Sequence, residues 1–317
     1  MKKLSILIPA YNEQAVLPQL YKRLCQLADA VPAYQLEFFF VDDGSSDNTL
    51  HMIKQLASKD KRVAYVSLSR NFGKEIGMIA GLDYVKDSDA TVIIDADLQD
   101  PPELIPKMIQ YYEQGYDDVY AQRRSRAGES WFKKKSSEWF YDILQKSTRI
   151  NIQKNTGDFR LLSKRCVKAL TELRESQRYT KGMFSWVGYK KKKIMYDRDP
   201  RAAGTTKWNY WRLADLAIEG ITSFTTAPLR LAMFTGMVVS FFAFAYIIVI
   251  IVRTALDGSV PGYPSIMAAV LFLGGVQLLA LGIIGEYIGR IFNETKQRPL
   301  YIIDEYHRAK DTSAKKA

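Results

Sequence analysis

The first two hundred residues alternate short apolar runs with helical patterns. Leu4–Ile8 is an apolar run stopped by Pro9, and a helical pattern follows through about Ala28. Leu36–Val41 is the next strand, ending in Asp42-Asp43-Gly44-Ser45, after which Asp47-Asn48-Thr49 opens a helix. Val63–Leu68 is a third strand, Gly73 to Tyr84 a helix, and Thr91–Ile94 a fourth strand that runs into Asp95-Ala96-Asp97. Glu103–Gln114 is a further helix and Asp118–Ala121 a fifth short strand. Such alternation predicts a parallel α/β sheet with helices on both faces.

The pattern changes after residue 230. Leu231 to Val252 carries no charge, and at 1.5 Å per residue makes about 33 Å of helix, enough to cross a bilayer core. Ser265 to Gly285 is a second uncharged stretch, closed by Glu286 and Arg290. Buried helices of a soluble protein rarely run so long without a polar face. The turn-rich connector Asp257 to Pro264 makes the two spans an antiparallel hairpin. Lys207, Arg212 and Arg230 precede the first span and Arg290, Lys296 and Arg298 follow the second, whereas the connector region holds Arg253 alone. The positive-inside rule places both termini in the cytoplasm.

Composition narrows the chemistry. Lys+Arg 45 against Asp+Glu 34 gives +11, which suits nucleic acid, anionic lipid or phosphorylated substrates. Two cysteines, Cys25 and Cys166, and two histidines, His51 and His307, argue against a disulfide framework or a Cys/His zinc site. The apolar run before Pro9 is too short for a signal peptide. Three strands end in polar clusters: Pro9-Ala-Tyr11-Asn-Glu13, Asp42-Asp43-Gly-Ser45 and Asp95-Ala96-Asp97. Ligands of open α/β sheets bind beyond the carboxyl ends of strands. Carboxylates gathered there repel one another unless a cation or donor-rich ligand lies between them. Asp95 and Asp97 on a turn can aim at one divalent ion, with Gln99 as a further oxygen ligand, and such hard donors favour Mg²⁺ or Mn²⁺.

These three clusters, in this order and spacing, resemble the family 2 glycosyltransferases of the GT-A fold. The closer resemblance is to the polyprenyl-phosphate branch, which includes dolichol-phosphate mannose synthases and bacterial bactoprenol glucosyltransferases. It covers nearly the whole chain, because the bacterial members also end in two membrane helices. The resemblance implies a Rossmann-like, mostly parallel catalytic domain over 1–205, an amphipathic juxtamembrane segment over 206–230, membrane helices at about 231–252 and 265–288, and a cytoplasmic tail over 289–317. It implies inverting transfer of a sugar from a nucleotide donor to undecaprenyl phosphate in the bacterial plasma membrane, by a homo-oligomer such as a tetramer.

Individual roles follow residue by residue. Pro9, Tyr11 and Glu13 shape the nucleoside pocket, with Glu13 accepting from ribose hydroxyls and Asp43 from an N–H on the base edge. Val41 matches a pocket-lining position of the family, Asp95 and Ala96 also belong to the nucleotide site, and Arg123 matches the arginine near the diphosphate. The ion held by Asp95, Asp97 and Gln99 bridges the diphosphate. Asn155-Thr-Gly-Asp158-Phe-Arg160 resembles the segment whose acidic residue stands at the acceptor, so Asp158 is the candidate for base or acceptor alignment. Arg201 and Lys207 match an Arg…Lys pair placed for the lipid phosphate or the diphosphate. Lys181 stands where related enzymes carry arginine, which keeps the charge and loses the bidentate fork. Trp186 packs a pocket wall, Lys133–Lys135 and Lys190–Lys193 suit anionic headgroups, and Trp131 to Tyr141 suggests a helix at the interface.

No nucleic-acid motif accompanies the positive charge, and the Gln-x-x-Arg-Trp segment of processive polysaccharide synthases is absent. A non-catalytic membrane adaptor is the remaining alternative class. UDP-glucose ranks first as donor, UDP-N-acetylglucosamine second and GDP-mannose third.

Overall fold

A computed structural model describes residues 1–124, 153, 156–176, 178–197, 225–257 and 262–309. The chain runs β1 (Lys2–Ala10), α1 (Leu17–Ala30), β2 (Tyr34–Asp42), α2 (Thr49–Lys59), β3 (Val63–Leu68), α3 (Lys74–Val85) and β4 (Ala90–Ile93). A 3₁₀ turn at Pro102–Leu104 leads into α4 (Ile105–Glu113) and β5 (Asp118–Arg123). Then come β6 (Thr156–Ser163), α5 (Lys164–Glu172), α6 (Thr180–Trp186) and β7 (Lys191–Tyr196). The long helices α7 (Ala227–Asp257) and α8 (Tyr263–Thr295) precede a last strand, β8 (Ile303–His307).

The eight strands form one mixed sheet, in the order β7-β5-β6-β4-β1-β2-β3-β8. The pairs β1–β2, β1–β4, β2–β3 and β5–β7 are parallel, as the β-α alternation requires. Two strands depart from the expected parallel pattern: β6 inserts antiparallel between β4 and β5, and β8 lies antiparallel on β3. Leu4, Ile6, Leu7 and Ile8 of β1 and Phe38, Phe39, Phe40 and Val41 of β2 are all buried. Such unbroken apolar runs belong to central strands covered on both faces. Pro9 does not stop β1, which continues to Ala10 alongside β2. Pairing with β4 has already ended at Leu7, so the missing N–H of Pro9 breaks no ladder on that side.

Helix α3 lies directly on the sheet. A Cβ at Gly81 would stand 2.1 Å from Leu7 Cδ1 and 2.7 Å from Val41 Cγ2, so this close approach requires glycine. Edge strand β7 carries lysines, and Lys190 and Lys192 lie over the rings of Tyr116 and Tyr111 at 4.4 and 5.0 Å. On the opposite edge, Tyr306 of β8 stacks against Tyr84 of α3 with centroids 4.5 Å apart, and Tyr65 Oη donates to Glu305 Oε1 at 2.5 Å.

The chain divides into two compact units, one of residues 1–214 with 299–317 and one of residues 215–298. In the second, Pro228–Val252 and Phe272–Thr295 are long and apolar enough to cross a membrane. Their large side chains, among them Phe241, Phe242, Leu278 and Leu279, are exposed rather than packed into a core. α8 outruns the expected span, continuing past Glu286 and Arg290, which pair at 3.0 Å across one helical turn. The juxtamembrane segment expected over 206–230 lies outside the described residues up to 224, and α7 begins at Ala227, before Arg230. Lys133–Lys135 and the stretch from Trp131 to Tyr141 also lie outside them.

Candidate active site

The polar clusters meet at the carboxyl ends of β1, β2 and β4. The loop after β1 is laced to the loop after β2: Asn12 Oδ1 accepts from Ser46 N at 2.8 Å, Asn12 N donates to Ser45 Oγ at 3.0 Å, and Glu13 N donates to Thr49 Oγ1 at 2.8 Å. Tyr11 is exposed on this rim, Glu13 and Pro9 are half-buried, and Val41 is fully buried beneath α3. Gly44 adopts φ +66°, and a Cβ there would sit 2.4 Å from the Arg70 carbonyl carbon, so the loop after β3 crosses directly over it.

Asp43 uses both carboxylate oxygens to hold that loop. Oδ1 accepts from Phe72 N at 2.7 Å and Oδ2 from Gly73 N at 2.9 Å, at the N-terminus of α3. Burial raises its carboxyl above the ordinary range, against the lowering effect of those two amides. Asp42 serves the turn instead, accepting from Ser45 N and from Ser67 Oγ at 3.3 and 3.2 Å.

Beyond β4 the chain alternates outward and inward, so that Asp95, Asp97 and Gln99 are half-buried while Ala96 and Leu98 are buried. Asp97 Oδ1 accepts from Gln99 N at 3.2 Å. The antiparallel register of β6 against β4 pairs Ile93 with Arg160. Continued two residues beyond the last pair of the ladder, that register brings Asp158 toward Asp95, and groups 63 positions apart share the Lys74 ammonium. Arg123, at the end of β5, lies beside the same segment: a Cβ at Gly157 would stand 3.3 Å from its Nη2, and its Nε donates to Tyr196 Oη at 3.5 Å.

Between the two carboxylates stands a residue that the strand-end clusters did not point to. Lys74 Nζ donates to Asp95 Oδ2 at 2.7 Å and to Asp158 Oδ2 at 2.5 Å. Burial opposes the Lys74 charge, but Asp158 and Asp95 outweigh it and raise the ammonium above its ordinary value. Burial likewise raises Asp158, yet Lys74 and Lys181 dominate and bring its carboxyl below the ordinary range. Lys181, the departure from arginine, is thus part of the field at this centre. The neighbouring Glu75 accepts from Thr180 N at 2.7 Å and from Thr180 Oγ1, tying α3 to the start of α6. Its carboxyl is pushed up to about 7 by burial and then by Asp158. Lys74 and Glu75 stand at the helix start expected after Gly73, but nothing local marks their partners, and no helix was expected at Thr180.

The fit of a divalent ion can be read from the donors. No cluster of three or more Cys, His, Asp and Glu side chains suited to a metal forms among the described residues. Asp95 and Asp97 still supply hard oxygens at alternate positions, and both oxygens of Asp95 stand 2.7 Å from the Lys74 ammonium, a place that already holds a cation. Mg²⁺ is commonly held by one or two carboxylates, its other positions going to water and phosphate, so this pair fits that chemistry. Arg201 and Lys207 lie outside the described residues. Trp186, at the end of α6, is 61% exposed rather than packed into a wall.

The family description "Glycosyl transferase family 2" matches residues 5–171, and "GtrB C-terminal hairpin" matches residues 227–291. An uncharacterized glycosyltransferase of Synechocystis sp. is 46% identical over 304 residues, covering 96% of this chain and 95% of the relative. A bactoprenol glucosyl transferase derived from the SfII prophage of Shigella flexneri is 44% identical, covering 96% of this chain and 99% of the relative. A solved glucosyl-3-phosphoglycerate synthase from Mycobacterium tuberculosis aligns with 70% of this chain and 78% of its own at 16% identity, with a TM-score of 0.45. The mixed sheet, the strand-end carboxylates and the apolar hairpin together belong to one kind of protein: the chain is a membrane-associated glycosyltransferase of family 2.

Proposed function

We propose that this enzyme transfers a hexose from a nucleotide sugar, UDP-glucose first, to the phosphate of a membrane polyprenol such as undecaprenyl phosphate, with inversion at the anomeric carbon. The observation that carries this reading is the register of β6 on β4, which sets a donor-side carboxylate, Asp95, against an acceptor-side carboxylate, Asp158. Near full-length likeness to a bactoprenol glucosyl transferase supports the lipid acceptor. Asp43 and Glu13 hold the nucleoside, and Arg123 meets the diphosphate from β5. Asp95, Asp97 and Gln99 would hold Mg²⁺ or Mn²⁺, which when bound would supply Lewis-acid stabilisation of the departing nucleotide phosphate.

The acceptor decides what Asp158 does. A phosphate monoester is mostly ionised at neutral pH, with a second pKa near 6, so its attacking oxygen has no proton to lose. A carboxyl held below its ordinary range by the Lys74 ammonium that it accepts from is a weak proton acceptor. Asp158 therefore aligns the acceptor through its cationic neighbours rather than abstracting a proton. Arg201 and Lys207 are assigned to the lipid phosphate or the diphosphate.

The return of β8 to β3 supports a hairpin whose two ends lie on one side of the membrane. The cation distribution places the side with both termini in the cytoplasm, where nucleotide sugars are made. In the test, purified full-length enzyme is offered a panel of UDP-glucose, UDP-N-acetylglucosamine and GDP-mannose with undecaprenyl phosphate, and products are resolved by mass. One hexosyl-phospholipid formed in the presence of a divalent ion is expected. Nucleotide binding without turnover of any donor would instead favour the adaptor class.

A further inference from the structure

A cation is the wrong sign for the first turn of a helix, where the peptide dipoles favour negative charge. Lys74 is nevertheless the first residue of α3. Its sequence neighbours are anchored on both sides: Phe72 N and Gly73 N donate to Asp43, and the Glu75 carboxylate accepts from Thr180 N. The side chain is 46% exposed, yet its ammonium reaches both Asp95 and Asp158. Asp95 and Asp158 side chains are only 19% and 13% exposed, so without a counter-charge their close approach would be unfavourable.

We propose that Lys74 is the internal counter-ion of this site, a positioning residue that neutralises Asp95 and Asp158 together and competes with a divalent ion for Asp95. The ammonium keeps the donor-side and acceptor-side carboxylates in register while the ion is absent. With an ion held at Asp95, Lys74 would retain Asp158 and would have one N–H donor free for a phosphate oxygen. The inference rests on the reading of Asp95 and Asp97 as the metal-holding pair.

The test uses purified full-length protein with Mn²⁺ as probe and electron paramagnetic resonance as readout, with no sugar donor present. Lys74→Met and Lys74→Gln are expected to bind Mn²⁺ about tenfold more tightly than the parent, because a charge-assisted competitor has been removed. Lys74→Arg, which keeps the charge, should stay close to the parent. Turnover of Lys74→Met should fall at least about tenfold through kcat, with a smaller change in donor KM, since alignment at Asp158 is lost. A merely structural lysine would not raise metal affinity on removal. Unchanged or weaker Mn²⁺ binding by both neutral variants, beside clear binding by the parent, overturns the role of Lys74 alone. Absence of Mn²⁺ binding by the parent, with and without UDP, overturns the metal reading and this inference with it. Unaltered thermal melting shows that a variant is folded, and the second neutral substitution serves where the first is not.

Discussion

Arg160 Nη1 stands 3.1 Å from Asp118 Oδ2 with both side chains 1% exposed, so the sheet beneath the site is closed by a buried ion pair. The Arg160 guanidinium also lies 3.6 Å from the ring centre of Phe184, on α6. One residue thus ties β6, two positions from Asp158, to β5 and to α6. Removing one partner of such a pair strands a buried charge. Asp118→Ala should destabilise the catalytic domain by about 3–5 kcal/mol, read by denaturant or thermal unfolding. A loss below about 1 kcal/mol would mean that water reaches Arg160.

Asp43 holds the start of α3 and, on the proposed reading, the nucleotide base as well. Asp43→Ala removes the acceptor for two backbone amides and, on the proposed reading, for the base edge. Nucleotide affinity should fall at least about tenfold, as charge-assisted bonds are worth about 1.5–3 kcal/mol. Calorimetric titration with UDP measures it, and unaltered affinity would place the base elsewhere.

Asp97→Asn tests the metal-holding pair without removing the residue's bulk. It should abolish most turnover while the protein still folds and inserts, and excess chelator should do the same to the parent enzyme. Near-normal activity in either experiment would sink the assignment.

Glu75 predicts a pH dependence of stability. Its carboxyl is raised to about 7 in the folded chain, from an ordinary 4.5, by burial first and Asp158 second. The folded state therefore binds the proton more tightly than the unfolded one. The contribution is fully present below about pH 4.5 and is lost as pH rises through 7. Unfolding measured from pH 5 to 8 should show this decline, and Glu75→Gln should flatten it. Equal slopes in the two proteins would remove Glu75 as the cause.

Orientation in the membrane has its own test. A cysteine in place of Ser259, in the connector, should react with an impermeant thiol reagent in intact cells, while one placed in the tail beyond residue 309 should not. The reverse pattern would overturn the cytoplasmic placement of the active site.

Much of this protein was legible locally. The runs at Leu4–Ile8, Leu36–Val41 and Val63–Leu68 are central strands because hydrophobic periodicity reflects burial on each face, and the observed strands contain all three. The uncharged stretches from Leu231 and Ser265 needed only length and composition. Asp43, Asp95 and Asp97 are candidates from sequence because strand ends are where ligands bind, and that location follows from order along the chain. Other features depend on pairing between distant segments. β6 could only be recognised as the antiparallel insert next to β4 once its hydrogen-bond partners were known, and that register is what sets Asp158 against Asp95. β8 returns to β3 from beyond both long helices, and no periodicity encodes which edge a late strand will join. Lys74 reads as an ordinary solvated lysine at a helix start, since its sequence neighbours say nothing of two carboxylates 21 and 84 positions away. Side-chain pattern determined which elements form and which faces they bury, because those depend on near neighbours. Tertiary packing decided which charges meet, because the energy of an ion pair depends on distance in space and on exclusion of water.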